Sequence, residues 1–254
     1  MNISSPIKDQ VDAVEWAARC ELAALYRMLA HFRMTDLIYT HISLRIPGPE
    51  HHFLINSYGR MFSEMRASDL VRIDVDGRPV SGDTREVNEA GFVIHSAIHQ
   101  AREDLVCVIH THTAAGMAVA CLKEGLMPLT QHALKFYGHL AYHDYEGVAL
   151  DLDERERLVA DLGDKRAMIL RNHGLLVAGR NVAEAFDHIY YLERACQAQV
   201  AALSGGQELH IPSEAVRQHT AAQFEMDKPP HPILDTAWEA VKREMKLDQT
   251  DVYT

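Results

Sequence analysis

The sequence predicts an α/β layered fold built on a mixed sheet. Three observations carry this prediction. Apolar residues recur at helical spacing near the N-terminus, short β-type runs bounded by turn signals follow, and further helical segments then interrupt the strands.

Val14, Ala18, Leu22, Leu25, Leu29 and Phe32, with Asp36 just after them, predict an amphipathic packing helix over residues 10–34. Thr40 to Ile46, Phe53 to Asn56 and Leu70 to Val75 read as strands, and Pro47-Gly48 and Asp76-Gly77 mark turns between antiparallel neighbours. The pattern turns helical from Gly91 to Ala101. A buried strand is expected over Leu105 to Ile109, then a small-residue helix from Thr113 to Leu122. Residues 131–147 read as a His- and Tyr-rich connection, and Asp153 as the N-cap of a short helix. Met168 to Arg171 and Leu175 to Ala178 predict a hairpin turning at Asn172-His173-Gly174. Asn181 with Glu184 has the form of a capping box, opening a helix whose apolar face is Val182, Ala185, Ile189, Leu192, Cys196, Val200 and Leu203. Ser204-Gly205-Gly206 ends it. Pro212, Pro229, Pro230 and Pro232 then precede a helical stretch over Ala237 to Met245, so residues 206–254 read as a wrapping or intersubunit tail of one 1–254 domain.

Composition narrows the function classes. With 254 residues, 47% hydrophobic and 24% charged, the chain suffices for one large core. The first ten residues have no apolar h-region, and no stretch approaches the roughly 18 apolar residues of a membrane span, so a soluble, cytoplasmic protein is expected. Cys20, Cys107, Cys121 and Cys196 are scattered without a C-x-x-C pair, which fits a reducing compartment. A formal charge of -11 repels nucleic acid and anionic membrane, leaving a small-molecule substrate as the expected partner. The 16 histidines make metal or proton chemistry worth testing.

His110 and His112, two apart at the end of a strand, point to the same face and can grip one ion together. His173, in a tight turn, can present its ring without burying it. Three neutral imidazoles leave a tetrahedral position open, as a catalytic metal requires. Two rival pairs stay open at this point: His95 with His99, four apart on a predicted helix, and His139 with His143.

The segments AGFVIHSAIHQAREDLVCVIHTHTAAGMAV, LAYHDYEG and LRNHGLLVAGRNVAEAF, in that order, resemble the class II aldolase/adducin family over about residues 15 to 205, and within it the bacterial adducin-head-like branch. The resemblance implies a three-layer α/β/α sandwich around a mixed, largely antiparallel sheet, a homotetramer, and one divalent metal, Zn²⁺ with Mn²⁺ or Fe²⁺ as alternatives, on His110, His112 and His173. Aldolases of the family place a glutamate base four residues before the histidine that matches His95. That position is Gly91 here, which can neither abstract a proton nor coordinate a metal. Glu89, nearby, is a candidate replacement. Phosphate-binding positions also depart: a Thr/Ser-Gly turn reads Tyr58-Gly59, paired small hydroxyls read Glu89-Ala90, and an asparagine reads His41. His41, Asn56, Tyr58 and Gly59 are the expected substrate pocket, and Tyr142, Tyr145, His143 and His132 the candidate proton donors, with Tyr145 and Glu89 taken as catalytic. The expectation is a metal-dependent carbon-carbon lyase acting on a small hydroxy- or keto-acid and not on a sugar phosphate. The alternative is a non-catalytic, adducin-head-like oligomeric binding module.

Overall fold

Seven short runs, none longer than six residues, form a single sheet in the computed structural model of the chain. The model describes residues 7–48, 50–80, 85–87, 89–147, 153–224 and 228–254, with the side chains of residues 89–92 outside the description. The strands are β1 (His41–Arg45), β2 (Phe53–Asn56), β3 (Leu70–Ile73), β4 (Cys107–Thr111), β5 (Leu140–His143), β6 (Ala167–Leu170) and β7 (Gly174–Gly179), in spatial order β3-β2-β1-β4-β7-β6-β5. Every neighbouring pair is antiparallel except β5 with β6, so the sheet is mixed and largely antiparallel.

Helices cover both faces. On one side lie α1 (Ala13–His31), α3 (Ala114–Ala120) and α6 (Val182–Ser204), burying Leu22, Leu25, Ile42, Ile109, Val177 and Ile189 in one cluster. On the other, α2 (Glu89–Ala101) and α5 (Glu154–Leu162) close over Ile98, Val108, Leu158, Met168 and Leu176. Strand parity sorts these side chains: Cys107 and Ile109 of β4 face α1 and α6, while Val108 and His110 face the α2 side. A separate apolar patch, Phe53, Ile55, Val71 and Ile73, lies on the far half of the sheet. Between it and the α2/α5 cluster, Ser43 of β1 meets His95 and His99 of α2, a polar seam in an apolar layer.

Four local expectations need correction. The 131–147 connection contains the short helix α4 (Gln131–Leu134) and the edge strand β5, which pairs in parallel with β6. An eleven-residue helix, α7 (Glu214–Phe224), precedes α8 (Ile233–Glu244). Asp153 adopts helical dihedrals and makes no side-chain capping bond. The Asn181 cap does form, accepting from Glu184 N at 2.8 Å, but the Glu184 carboxylate accepts from Arg180 N at 2.6 Å instead of closing the box.

The C-terminal segment packs on its own chain. Trp238 of α8 is buried and donates to Glu21 of α1 at 2.6 Å, and the carbonyls of Val252 and Thr254 accept from Ala67 N and Ser68 N at 2.8 and 2.9 Å. No described helix is long and apolar enough to cross a membrane.

Candidate metal centre

Register brings the sheet's chemistry to one end. β4 finishes at His110-Thr111, β7 begins at Gly174, and His41 at the start of β1 lies directly opposite His110. His112 leaves the strand two residues on, so its ring returns to the same face. His173 comes from the β6–β7 turn, where Asn172 holds φ +56, a left-handed conformation that asparagine tolerates better than most residues. Gly174 is dictated by close approach: a Cβ there would lie 2.3 Å from Thr111 O and 3.2 and 3.4 Å from the His112 and His110 rings.

The three imidazoles converge on their Nε2 atoms. His110 Nε2 lies 2.8 Å from His112 Nε2, which lies 2.9 Å from His173 Nε2. Their outer nitrogens explain the orientation. His110 Nδ1 is 2.9 Å from Leu175 O, and His112 Nδ1 is 3.0 Å from Asp36 Oδ2. Both partners are acceptors, so in the neutral rings each Nδ1 carries the proton and each Nε2 a lone pair. Two lone pairs facing at 2.8 Å repel unless a cation lies between them. Backbone carbonyl and carboxylate partners behind histidines are the usual outer shell of a metal site, and the donor set therefore fits one divalent ion. Burial keeps His110 and His173 neutral: it pushes His110 well below the ordinary histidine range and His173 down to about 4, helped by the other histidines of the cluster. Among the described residues this is the one group of three or more side chains placed to hold a metal.

The rival pairs lie elsewhere. His95 Nδ1 and His99 Nε2 both contact Ser43 Oγ at 2.7 Å inside the α2 seam, and His143 Nδ1 is bound to Asp161 at 2.7 Å. Of the four candidate proton donors, the structure brings Tyr145 beside the cluster, its ring centroid 6.2 Å from that of His173 and 54% exposed at the mouth. Tyr142 accepts from Leu126 N at 3.0 Å under the Arg171 guanidinium, and His132 packs against Tyr191.

The expected pocket residues divide. His41 is buried against His110, ring centroids 5.5 Å apart, and burial lowers its pKa to about 3. Tyr58 and Gly59 form a turn after β2 at the same end of the sheet, Tyr58 exposed and Gly59 at φ +87. Asn56 is not brought to the centre: it shares the parity of Leu54, facing α1, and its Oδ1 lies 2.8 Å from the Tyr26 hydroxyl. The Glu89 side chain lies outside the described residues. Sequence reading passed over Asp36, whose only linear signal is an acidic residue after a helix, and the Ser43–His95–His99 seam, whose members are brought together by tertiary packing.

The model of the Class II Aldolase and Adducin N-terminal domain matches residues 20–200. A Caulobacter vibrioides protein, whose name places it provisionally among class 2 aldolases, is 52% identical over 87% of this chain and 86% of its own. Alpha-adducin from Rattus norvegicus is 45% identical over 76% of this chain and 26% of its own. Among solved structures, an aldolase II superfamily protein from Pseudomonas syringae superposes with TM-score 0.92 at 50% identity, covering 98% of this chain and 100% of that one. L-fuculose 1-phosphate aldolase from Glaciozyma antarctica superposes with TM-score 0.75 at 27% identity, covering 96% and 95%.

Proposed function

Because the chain belongs to the class II aldolase and adducin family, we propose that it is a divalent-metal-dependent carbon-carbon lyase, of aldolase or decarboxylase type, for a small hydroxy- or keto-acid and not a sugar phosphate. One observation carries the reading: three imidazole Nε2 atoms, those of His110 and His112 fixed from behind by Leu175 O and Asp36, converge at a partly exposed point with no fourth protein donor among the described residues. Zn²⁺ suits three neutral imidazoles best, with Mn²⁺ or Fe²⁺ as alternatives. When bound, such an ion polarises a substrate carbonyl or hydroxyl and stabilises the enolate-like charge that develops as a neighbouring C–C bond breaks.

The chain's own residues do the rest. His41 closes the inner wall, and Tyr145 at the mouth holds a phenolic proton where a leaving carbanion could take it up. In sequence, Gly91 stands where family aldolases carry their glutamate and Glu89 where they carry a small hydroxyl, and the reading against a dianionic substrate rests on that exchange of a donor for a carboxylate. We assign the protein to the cytoplasm and to a homotetramer, which light scattering tests against the 28.6 kDa of one chain.

The second reading, a non-catalytic oligomeric binding module, is favoured by one comparison: identity to alpha-adducin, 45%, exceeds that to the fuculose phosphate aldolase, 27%. Metal analysis of protein purified without a His-tag, followed by assays of hydroxy- and keto-acids against sugar phosphates with Zn²⁺ and Mn²⁺, separates the two. The lyase reading expects one ion per chain, acid turnover, and a fall of about 10² to 10⁴ in kcat for Tyr145→Phe at unchanged metal content. Protein that takes up no metal sinks it. Efficient turnover of a sugar phosphate refutes the substrate assignment alone.

A further inference from the structure

Behind the three histidines the polar row continues inward, from His110 to His41, His95, Ser43 and His99, all buried. The His41 and His95 ring centroids are 4.3 Å apart. Hydrogen-bond logic fixes the protons from the far end. His99 Nδ1 lies 3.2 Å from Leu105 O, which only accepts, so Nδ1 carries the His99 proton. Burial holds His99 neutral, with a pKa lowered to about 3, so its Nε2 is a lone pair and the Ser43 hydroxyl, 2.7 Å away, must donate to it. Ser43 has then spent its one proton, and its contact with His95 Nδ1 at 2.7 Å requires that nitrogen to donate. His95 is likewise kept neutral, chiefly by burial, so its Nε2 is an acceptor.

That acceptor has no partner among the described residues. Neither have the two ring nitrogens of His41, although all three atoms are buried. A neutral His41 carries one N–H and one lone pair on opposite edges of its ring, so a single group set between the two rings donates to His95 Nε2 and accepts from the His41 N–H. A carboxylate or phosphate oxygen only accepts and would meet the His95 lone pair. An ammonium only donates. A hydroxyl does both. The row ends on a backbone carbonyl, so it cannot relay a proton onward, and its effect is to set one tautomer.

We propose that His41 and His95 form a hydroxyl-recognising subsite on the inner side of the metal centre, with Ser43 and His99 as positioning residues that hold His95 Nε2 as an acceptor. The subsite rests on the metal-lyase reading and narrows its substrates to acids bearing a hydroxyl beyond the two oxygens that chelate the ion.

Two measurements test this. Long-range ¹H–¹⁵N spectra of the metal-free protein should show His95 protonated on Nδ1 and bare on Nε2, and Ser43→Ala should raise the Nε2–H population. Calorimetry on zinc-loaded protein should show glycerate binding about tenfold more tightly than lactate, which lacks only the 3-hydroxyl. That preference should vanish in His95→Phe and shrink in Ser43→Ala, with lactate affinity and zinc content unchanged. A proton on His95 Nε2 in the wild-type spectrum overturns the proposal even if every variant misfolds. Equal affinity for the two acids overturns it while leaving the metal reading intact, whereas failure to bind zinc overturns both.

Discussion

At the scale of single residues, the contact between His112 and Asp36 decides how well the centre holds a cation. The carboxylate lies 3.0 Å from His112 Nδ1, fixes the ring's orientation and makes Nε2 a better donor. His110 receives the same service from Leu175 O, which no side-chain substitution can remove. Asp36→Ala should therefore weaken metal affinity by about 10- to 100-fold, read by competition with a chromogenic chelator. The fold should be unaffected, because the Asp36 side chain is 42% exposed and outside the apolar clusters. Unchanged affinity would mean that the Asp36 contact is incidental to the centre.

At the scale of elements, the β6–β7 hairpin supplies both a ligand and the room for the other two. A methyl group at Gly174 would press on the Thr111 carbonyl, backbone against backbone, so β7 would have to part from β4 where His110 sits. Gly174→Ala should destabilise the chain by roughly 1 to 3 kcal/mol and abolish stoichiometric metal binding, whereas Asn172→Gly, at a positive φ, should leave both nearly intact. Thermal melts with metal analysis on the same samples check the pair, and a stable, metal-loaded Gly174→Ala protein would contradict the packing argument. The hairpin also shows what a sequence can reveal. Its turn chemistry is local, and the parity of H-x-H is a property of any strand, so both motifs could be read directly. β5 could not: Leu140 to His143 alternates weakly, buries Ala141 and His143, and is a strand only because β6 lies beside it. α7 buries Ala221 alone and so writes no apolar stripe. The link from Asp36 to His112 and the seam through Ser43 depend on how α1 and α2 dock on the sheet. No spacing rule records that.

At the scale of the whole molecule, the buried histidines couple folding to pH. Burial, as the leading cause, lowers His41, His99 and His188 from 6.5 to about 3. His188 serves as the probe, since it sits on the buried face of α6 with Nδ1 donating to Ala178 O at 3.2 Å, apart from the metal cluster. The unfolded chain takes up these protons near pH 6.5, and the folded chain resists them until about 3. Above 6.5 neither state binds the proton and the contribution is constant. As the pH falls between the two values the unfolded state is favoured, by about 1.4 kcal/mol per pH unit for each such histidine. Ordinary carboxylates titrate near 4 and add little above pH 5.5. Urea unfolding of the metal-free protein should therefore show stability falling steeply from pH 6.5 to 5.5. His188→Gln should lower overall stability yet flatten that slope by roughly one proton. If the slopes of wild type and variant coincide, His188 exchanges protons equally in both states, and the buried, neutral role assigned to it is wrong.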